Sequence, residues 1–155
     1  MREVFQNLYD EIESRLRANF GKIYVHQEDP RQKDALNKLP AFLIEMTDIS
    51  PIKPTGTGEI EVLTRWNIRL VIQTDNAEDR IKARAACALI AGIFSEKILV
   101  KNTYPVRYLG SHDDNFGFVA ELESWVSEFD IGMVIGHDQY EDWDMYPDVM
   151  KEDEA

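Results

Sequence analysis

The stretch "GTGEIEVLTRWNIRLVIQT", residues 56–74, decides the fold. From Glu59 to Gln73 one parity carries Ile60, Val62, Thr64, Trp66, Ile68, Leu70 and Ile72. The other carries Glu59, Glu61, Leu63, Arg65, Asn67, Arg69, Val71 and Gln73. Successive side chains of a strand point to opposite faces, so this is a strand with one apolar and one mostly charged face. At about 3.3 Å per residue it spans roughly 50 Å. A compact domain of about 140 residues has a diameter of only about 37 Å. The strand is longer than the body expected to contain it.

Immediately upstream, "AFLIEMTDI" (41–49) reads as a second strand with Phe42, Ile44 and Met46 on one face. "SPIKPTGTG" (50–58) interrupts it with two prolines, two glycines and Lys53. Residues 41–73 therefore predict a large antiparallel hairpin with a tip longer than hairpins usually have, and such loops are often functional. "GTGE" only superficially resembles a phosphate loop. It precedes a strand, so no helix N-terminus supplies free amides.

On either side lie two helices. In residues 3–19, Val4, Leu8, Ile12 and Leu16 recur at four-residue spacing, widened by Phe5 and Tyr9, and Gly21 supplies a left-handed stop. "KIYVHQ" (22–27) is a short strand, and polar "EDPRQKDALNKLP" (28–40) is a loop. Residues 74–97 form the second helix, with Asp75 as N-cap, Glu78 completing a capping box and Asp79 favourable to the first turn. Its expected core stripe is Ile81, Ala85, Leu89, Ile93 and Phe94, with further alanines allowing close approach to a sheet. "VRYLGSHDD" and "FGFVAELESWVSEFDIGMVIG" supply two closing strands. The order is α-β-β-β-α-β-β, an α+β domain whose two main helices pack on one face of an antiparallel sheet.

Composition places this as a single domain over residues 1–136 followed by an acidic, flexible C-terminal tail, 137–155. Among 155 residues, 44% are hydrophobic and 30% charged, and the net charge is -12. The tail contains eight acidic residues against Lys151 alone. This balance argues against a dominant nucleic-acid or anionic-membrane surface. No apolar run approaches the roughly 18 residues of a membrane span. The charged N-terminus lacks the apolar core of a secretory signal, and one cysteine, Cys87, permits no intrachain disulfide.

No catalytic or metal-ligating pattern emerges. His26, His112 and His137 lie in unrelated segments. "SHDD" (111–114), flanked by Gly110 and Asn115, reads as a turn rather than an acid–base cluster. Cys87 sits among alanines and reads as a small buried hydrophobe. Tyr140, Trp143 and Tyr146 are a different matter. Acidic tails are usually solvated, but three aromatics within seven residues could dock on a basic partner groove. On the long strand, Glu59 and Glu61 lie near the tip and Arg65 and Arg69 lower down. Such segregation suits docking between neighbouring copies, acid against base, and exposed strand edges need pairing or charge. The alternative is a merely solvated face.

The layout resembles the tail terminator (tail-completion) proteins of long-tailed bacteriophages and prophages. The likeness runs from about residue 3 to 136. It rests on "VFQNLYDEIESRL", "LPAFLIEM", "EIEVLTRWNIRLVIQT", "AEDRIKARAACALIAGIF" and "ESWVSEFDIGMVIG". It implies a virion protein, assembled in the host bacterial cytoplasm, that forms a ring, typically a hexamer, on the head-proximal end of the tail tube. The ring stops tube growth and offers a surface to the head connector, with no cofactor and no catalysis. Lys53, Glu59, Glu61, Arg65 and Arg69 then become subunit or tube contacts. The pattern does not include the acidic tail. The competing expectation is a cytosolic adaptor or small-ligand module using the open sheet face; an enzyme with no legible site ranks third.

Overall fold

The structure, a computed structural model, describes residues 2–28, 39–54, 59–73, 77–114 and 122–135, with the side chains at 2, 53 and 54 outside that description. Helix α1 is Arg2–Phe20, strand β1 Tyr24–Gln27, β2 Ala41–Pro54, β3 Ile60–Gln73, helix α2 Ala77–Phe94, β4 Arg107–Asp114 and β5 Leu122–Ile135. One five-stranded sheet runs β1-β2-β3-β5-β4. Three pairings are antiparallel and β1 joins β2 in parallel. The sheet is thus mixed at one edge. Parallel neighbours need a crossover of a dozen or so residues, and 28–40 supplies that length.

Helix α1 forms as its spacing predicts. Leu8, Ile12 and Leu16 are buried, while Glu11–Arg15 and Glu13–Arg17 pair along the solvent side. Gly21 ends it at φ 65°, its N–H donating to the Arg17 carbonyl at 3.1 Å. In the sheet, antiparallel partners share a face, so Met46, Trp66, Phe129 and Tyr108 form one row across four strands. Both helices cover this side. Tyr9 meets Trp66 edge-on at 4.7 Å, Phe20 meets Phe42 at 5.0 Å, and Phe94 meets Phe129 at 5.5 Å. Trp66 is fully buried and its indole N–H donates to Thr64 Oγ1 at 2.8 Å. The Thr64 hydroxyl donates onward to the Ile131 carbonyl at 2.7 Å. A buried indole and a buried threonine are satisfied by each other and by the next strand, as burial requires.

Several expectations change. Helix α2 keeps Phe94 inward as expected but otherwise turns a different stripe to the core: Ala83, Cys87 and Ile90 are buried, whereas Ile81 is 62% and Leu89 47% exposed. Small residues at 83 and 87 let the helix sit close to the sheet, and the large Ile81 and Leu89 are left outside. Cys87 is buried, as read, and burial raises its thiol pKa against weaker opposing hydrogen bonds from Ser127 and Ser111. "SHDD" is strand, not turn. Residues 111–114 end β4, which pairs with β5 and absorbs its irregularity at Tyr108–Gly110, where Gly110 adopts φ 145°. Strand β2 runs on through Ser50 and Pro51 to Pro54, so much of the predicted tip is ladder. Proline is tolerated there because, among the described residues, no strand pairs with the outer side of β2 at that end. The Asp75 cap, the glycines of the tip, His137 and the tail aromatics Tyr140, Trp143 and Tyr146 lie outside the described residues.

Candidate assembly surface

Three strands, β2, β3 and β5, are each 14 residues long. At about 3.3 Å per residue that is roughly 46 Å of ladder. The helices have 19 and 18 residues, or about 28 Å at 1.5 Å per residue. Helix cannot cover the whole strand length, and it does not. Ile60, paired with Ile135, continues the buried Val62–Thr64–Trp66 row yet is 43% exposed. Ile49, opposite Thr64, is 51% exposed, and Ile52 is 47%. The excess length that the sequence announced is therefore a three-stranded platform, with β3 at its centre rather than at an edge.

The edge of that platform belongs to β2. Strand β1 pairs only with Ala41–Ile44. Just beyond, the Glu28 N–H donates to the Ile44 carbonyl at 2.6 Å and the Met46 N–H to the Tyr9 hydroxyl at 3.3 Å. Among the described residues, no strand pairs with the outer edge of β2 from Thr47 to Pro54.

The face opposite the helices holds the charged residues, and they are matched within the chain. Arg65 stands opposite Asp130, its Nε donating to Oδ1 at 3.1 Å. The Asp130 side chain is 6% exposed and that of Arg65 45%. The hydrogen bond and charge of Asp130 raise the Arg65 pKa further above its already high ordinary value. Asp48 and Arg107 flank this pair on β2 and β4, giving a row of alternating sign, Asp48–Arg65–Asp130–Arg107. Arg69 bridges two strands, to Glu45 at 3.1 Å and Asp114 at 3.0 Å, with its side chain 16% exposed. Glu61 accepts a hydrogen bond from the Tyr104 hydroxyl at 2.9 Å. Of the expected acid and base groups, Glu61, Arg65 and Arg69 share one face of β3, and all three already have partners in the same chain. Lys53 is on β2 by its backbone, and Glu59 precedes β3 with its side chain exposed.

Two features escaped the sequence reading. The exposed isoleucines of the platform follow from the strand parity only once the helix lengths are set beside it. The second is a groove of about 520 Å³ between the helices at the opposite end of the sheet. It is lined by Phe20, Ile23, Leu39, Phe42, Leu70, Ile72, Ala83 and Leu89, with Lys22, Asp79 and Lys82 on its margin. No local periodicity signals it, because four separate segments build it. Among the described residues there is no cluster of three metal-ligating side chains and no helix long and apolar enough to cross a membrane.

No family model matches the chain, and no curated protein matches it. Among solved structures it is similar to a chain of "Virion of native gene transfer agent (GTA) particle", with a TM-score of 0.58 and 12% identity. The match covers 83% of this chain and 95% of that one. At that identity the likeness is one of fold: nearly the whole of a virion-particle chain shares the α+β arrangement described above.

Proposed function

We propose that this chain is a structural virion protein that forms a ring, a hexamer, on the head-proximal end of a phage or prophage tail tube. The ring ends tube polymerisation and offers the docking surface for the head connector. The observation that carries the reading is the platform at the far end of the hairpin, where the outer edge of β2 is paired by no described strand and Ile49, Ile52 and Ile60 are exposed. Unpaired edges invite strand addition from another chain. The likeness in fold to a chain of a virion particle supports the same conclusion. The role is structural: assembly needs edges and apolar area, not a nucleophile or a cofactor.

In this reading the platforms of adjacent copies join through the β2 edge. Lys53, Glu59, Glu61 and the exposed side of Arg65 border the contact, and Arg69 stiffens the sheet behind it by tying Glu45 to Asp114.

The test is tube length. Purified protein added to polymerising tail-tube protein should give tubes capped at one end with a defined length by electron microscopy. Unregulated lengths with the protein absent from tube ends would remove the terminator role. A protein that stays monomeric with tube protein present would favour the adaptor.

A further inference from the structure

We propose that the contact joining copies of this chain has two unlike halves, and that the segment Lys97–Arg107 is the half that receives the outer β2 edge of the next copy. The inference rests on the ring reading and names the surface that meets its edge. A closed ring is built from head-to-tail contacts, so each copy turns two different patches toward its two neighbours. The first is the outer edge of β2, where Asp48, Ile49 and Ile52 are exposed. Register locates the second. Pro51, Val62, Met133 and Thr103 form one row across the platform, so β2 bounds it on one side and the chain at Thr103 on the other. Strand β4 does not take that place. Its first residue, Arg107, stands on the row of Asp48, and it runs from there to Asp114 on the row of Ala41, at the covered end. At the level of the outer β2 edge the opposite margin is therefore the segment before β4.

That segment is pinned from within. Leu99, Thr103 and Val106 are buried. The Glu96 N–H donates to the Val106 carbonyl, the Val106 N–H to the Lys97 carbonyl and the Tyr104 N–H to the Gly132 carbonyl, each at 2.8 Å. Lys97 thus lies outside Val106, at the margin. On this fixed frame Ile98 is 59% exposed, and Lys97, Lys101 and Arg107 are exposed beside it. A neighbour's β2 side carries the complement. Residues 95–107 hold three bases against Glu96, and residues 45–61 hold four acids against Lys53. Glu45 and Glu61 are engaged within the chain, while Asp48 is exposed on the outer edge itself. Opposed charges steer an encounter and fix its register, and Ile98 against the exposed isoleucines of β2 supplies apolar contact.

The experiment uses full-length chains with tail-tube protein present. An Ile98→Cys chain is mixed in turn with Ile49→Cys and Ile52→Cys chains and mildly oxidised. Native Cys87 is buried and remains as a silent thiol. Mixed dimers should form with at least one partner, and each chain alone should give none. One chain carrying both cysteines of that pair should give a ladder of multimers. The two margins stand three strand spacings apart, about 14 Å, too far for a bridge within one chain. Lys97→Glu with Lys101→Glu in the Ile98→Cys chain should lower the yield about tenfold, and Asp48→Lys in the other chain should restore it. Products between two β2 edges, or a preference for Leu109→Cys on β4 over Ile98→Cys, overturn the proposal. So does a yield indifferent to the charge reversals. Capped tubes and a stable oligomer without any of these cross-links overturn it while leaving the ring reading intact. A chain that stays monomeric and caps nothing removes both. The multimer ladder on tubes of unregulated length would keep this contact and remove the terminator role.

Discussion

The two ends of the β2–β3–β5 sheet are made of the same strands and behave differently. At the helix-covered end Phe42, Ile44, Ile68 and Leu70 are buried, whereas at the far end Ile49, Ile52 and Ile60 are exposed. Alternation along β3 does not change between them. What changes is the partner layer, which ends where α1 and α2 end. Strand periodicity tells which face is apolar, not whether anything in the same chain covers it. An apolar row that outruns its cover is the kind of contact surface the proposed ring requires.

The comparison breaks if the far end contributes to folding like the near end. Trp66→Ala empties a fully buried site and removes the edge-on contact with Tyr9. The expected cost is about 3–5 kcal/mol, read as a lowered midpoint in urea. Ile49→Ser with Ile60→Ser should cost no more than about 0.5 kcal/mol each, yet should abolish capping of tail tubes. Comparable losses from the two variants would mean that the platform is core after all.

The next largest effect concerns the charged face. Reversing Arg69 to Glu leaves Glu45 and Asp114 facing a third carboxylate where the guanidinium had been 16% exposed. Removing one partner of a fully buried pair costs about 3–5 kcal/mol. Here Asp114 is 34% exposed, so screening reduces the expectation to about 2–3 kcal/mol. Arg69 is therefore a poor probe of assembly, because its loss would be felt in the monomer first. A denaturation midpoint equal to that of the wild-type chain would show that these ion pairs do not form in solution.

How much of this was readable in the chain beforehand depends on distance along it. The α1 stripe, the Gly21 stop and the buried parity of β3 are local, and each is where the spacing puts it. The central position of β3 was hidden because β5, its second neighbour, arrives some 60 residues later. For the same reason Arg65 and Arg69 could be placed on the outer face but not given Asp130, Glu45 and Asp114 as partners. The inward stripe of α2 was misjudged because size was weighed over fit. Close packing on a sheet selects Ala83 and Cys87, and the groove is what Leu89 borders instead.

Within the covered end, Thr64→Val keeps the shape of the side chain and removes the hydroxyl that links Trp66 to Ile131. The buried indole N–H then has no acceptor, at a cost of about 1–2 kcal/mol. Thr64→Ser should recover most of it. If valine is as stable as threonine, the indole finds another partner and the relay is incidental.

The smallest effect sharpens the far end. Tyr104 reaches over the platform: its N–H donates to the Gly132 carbonyl at 2.8 Å, and its ring lies where a Cβ at Gly132 would stand 2.7 Å from Cδ2. The hydroxyl donates to Glu61, and that hydrogen bond, followed by burial and the charges of Glu61 and Glu59, raises the phenol pKa above its ordinary 10.0. A raised pKa in the folded chain favours the protonated form. The contribution is therefore complete below the unfolded value near 10 and is lost as pH rises through the higher folded value. Phenolate absorbance should contain a late-titrating component that is lost in Tyr104→Phe. In Glu61→Gln the late titration should move back toward the ordinary value, with stability at neutral pH little changed because the contact is exposed. Gly132→Ala should do the same by displacing the ring. If the Glu61→Gln titration overlays that of the wild-type chain, Tyr104 does not clip β3 to β5 in solution, and the platform's far end is held by its ladder alone.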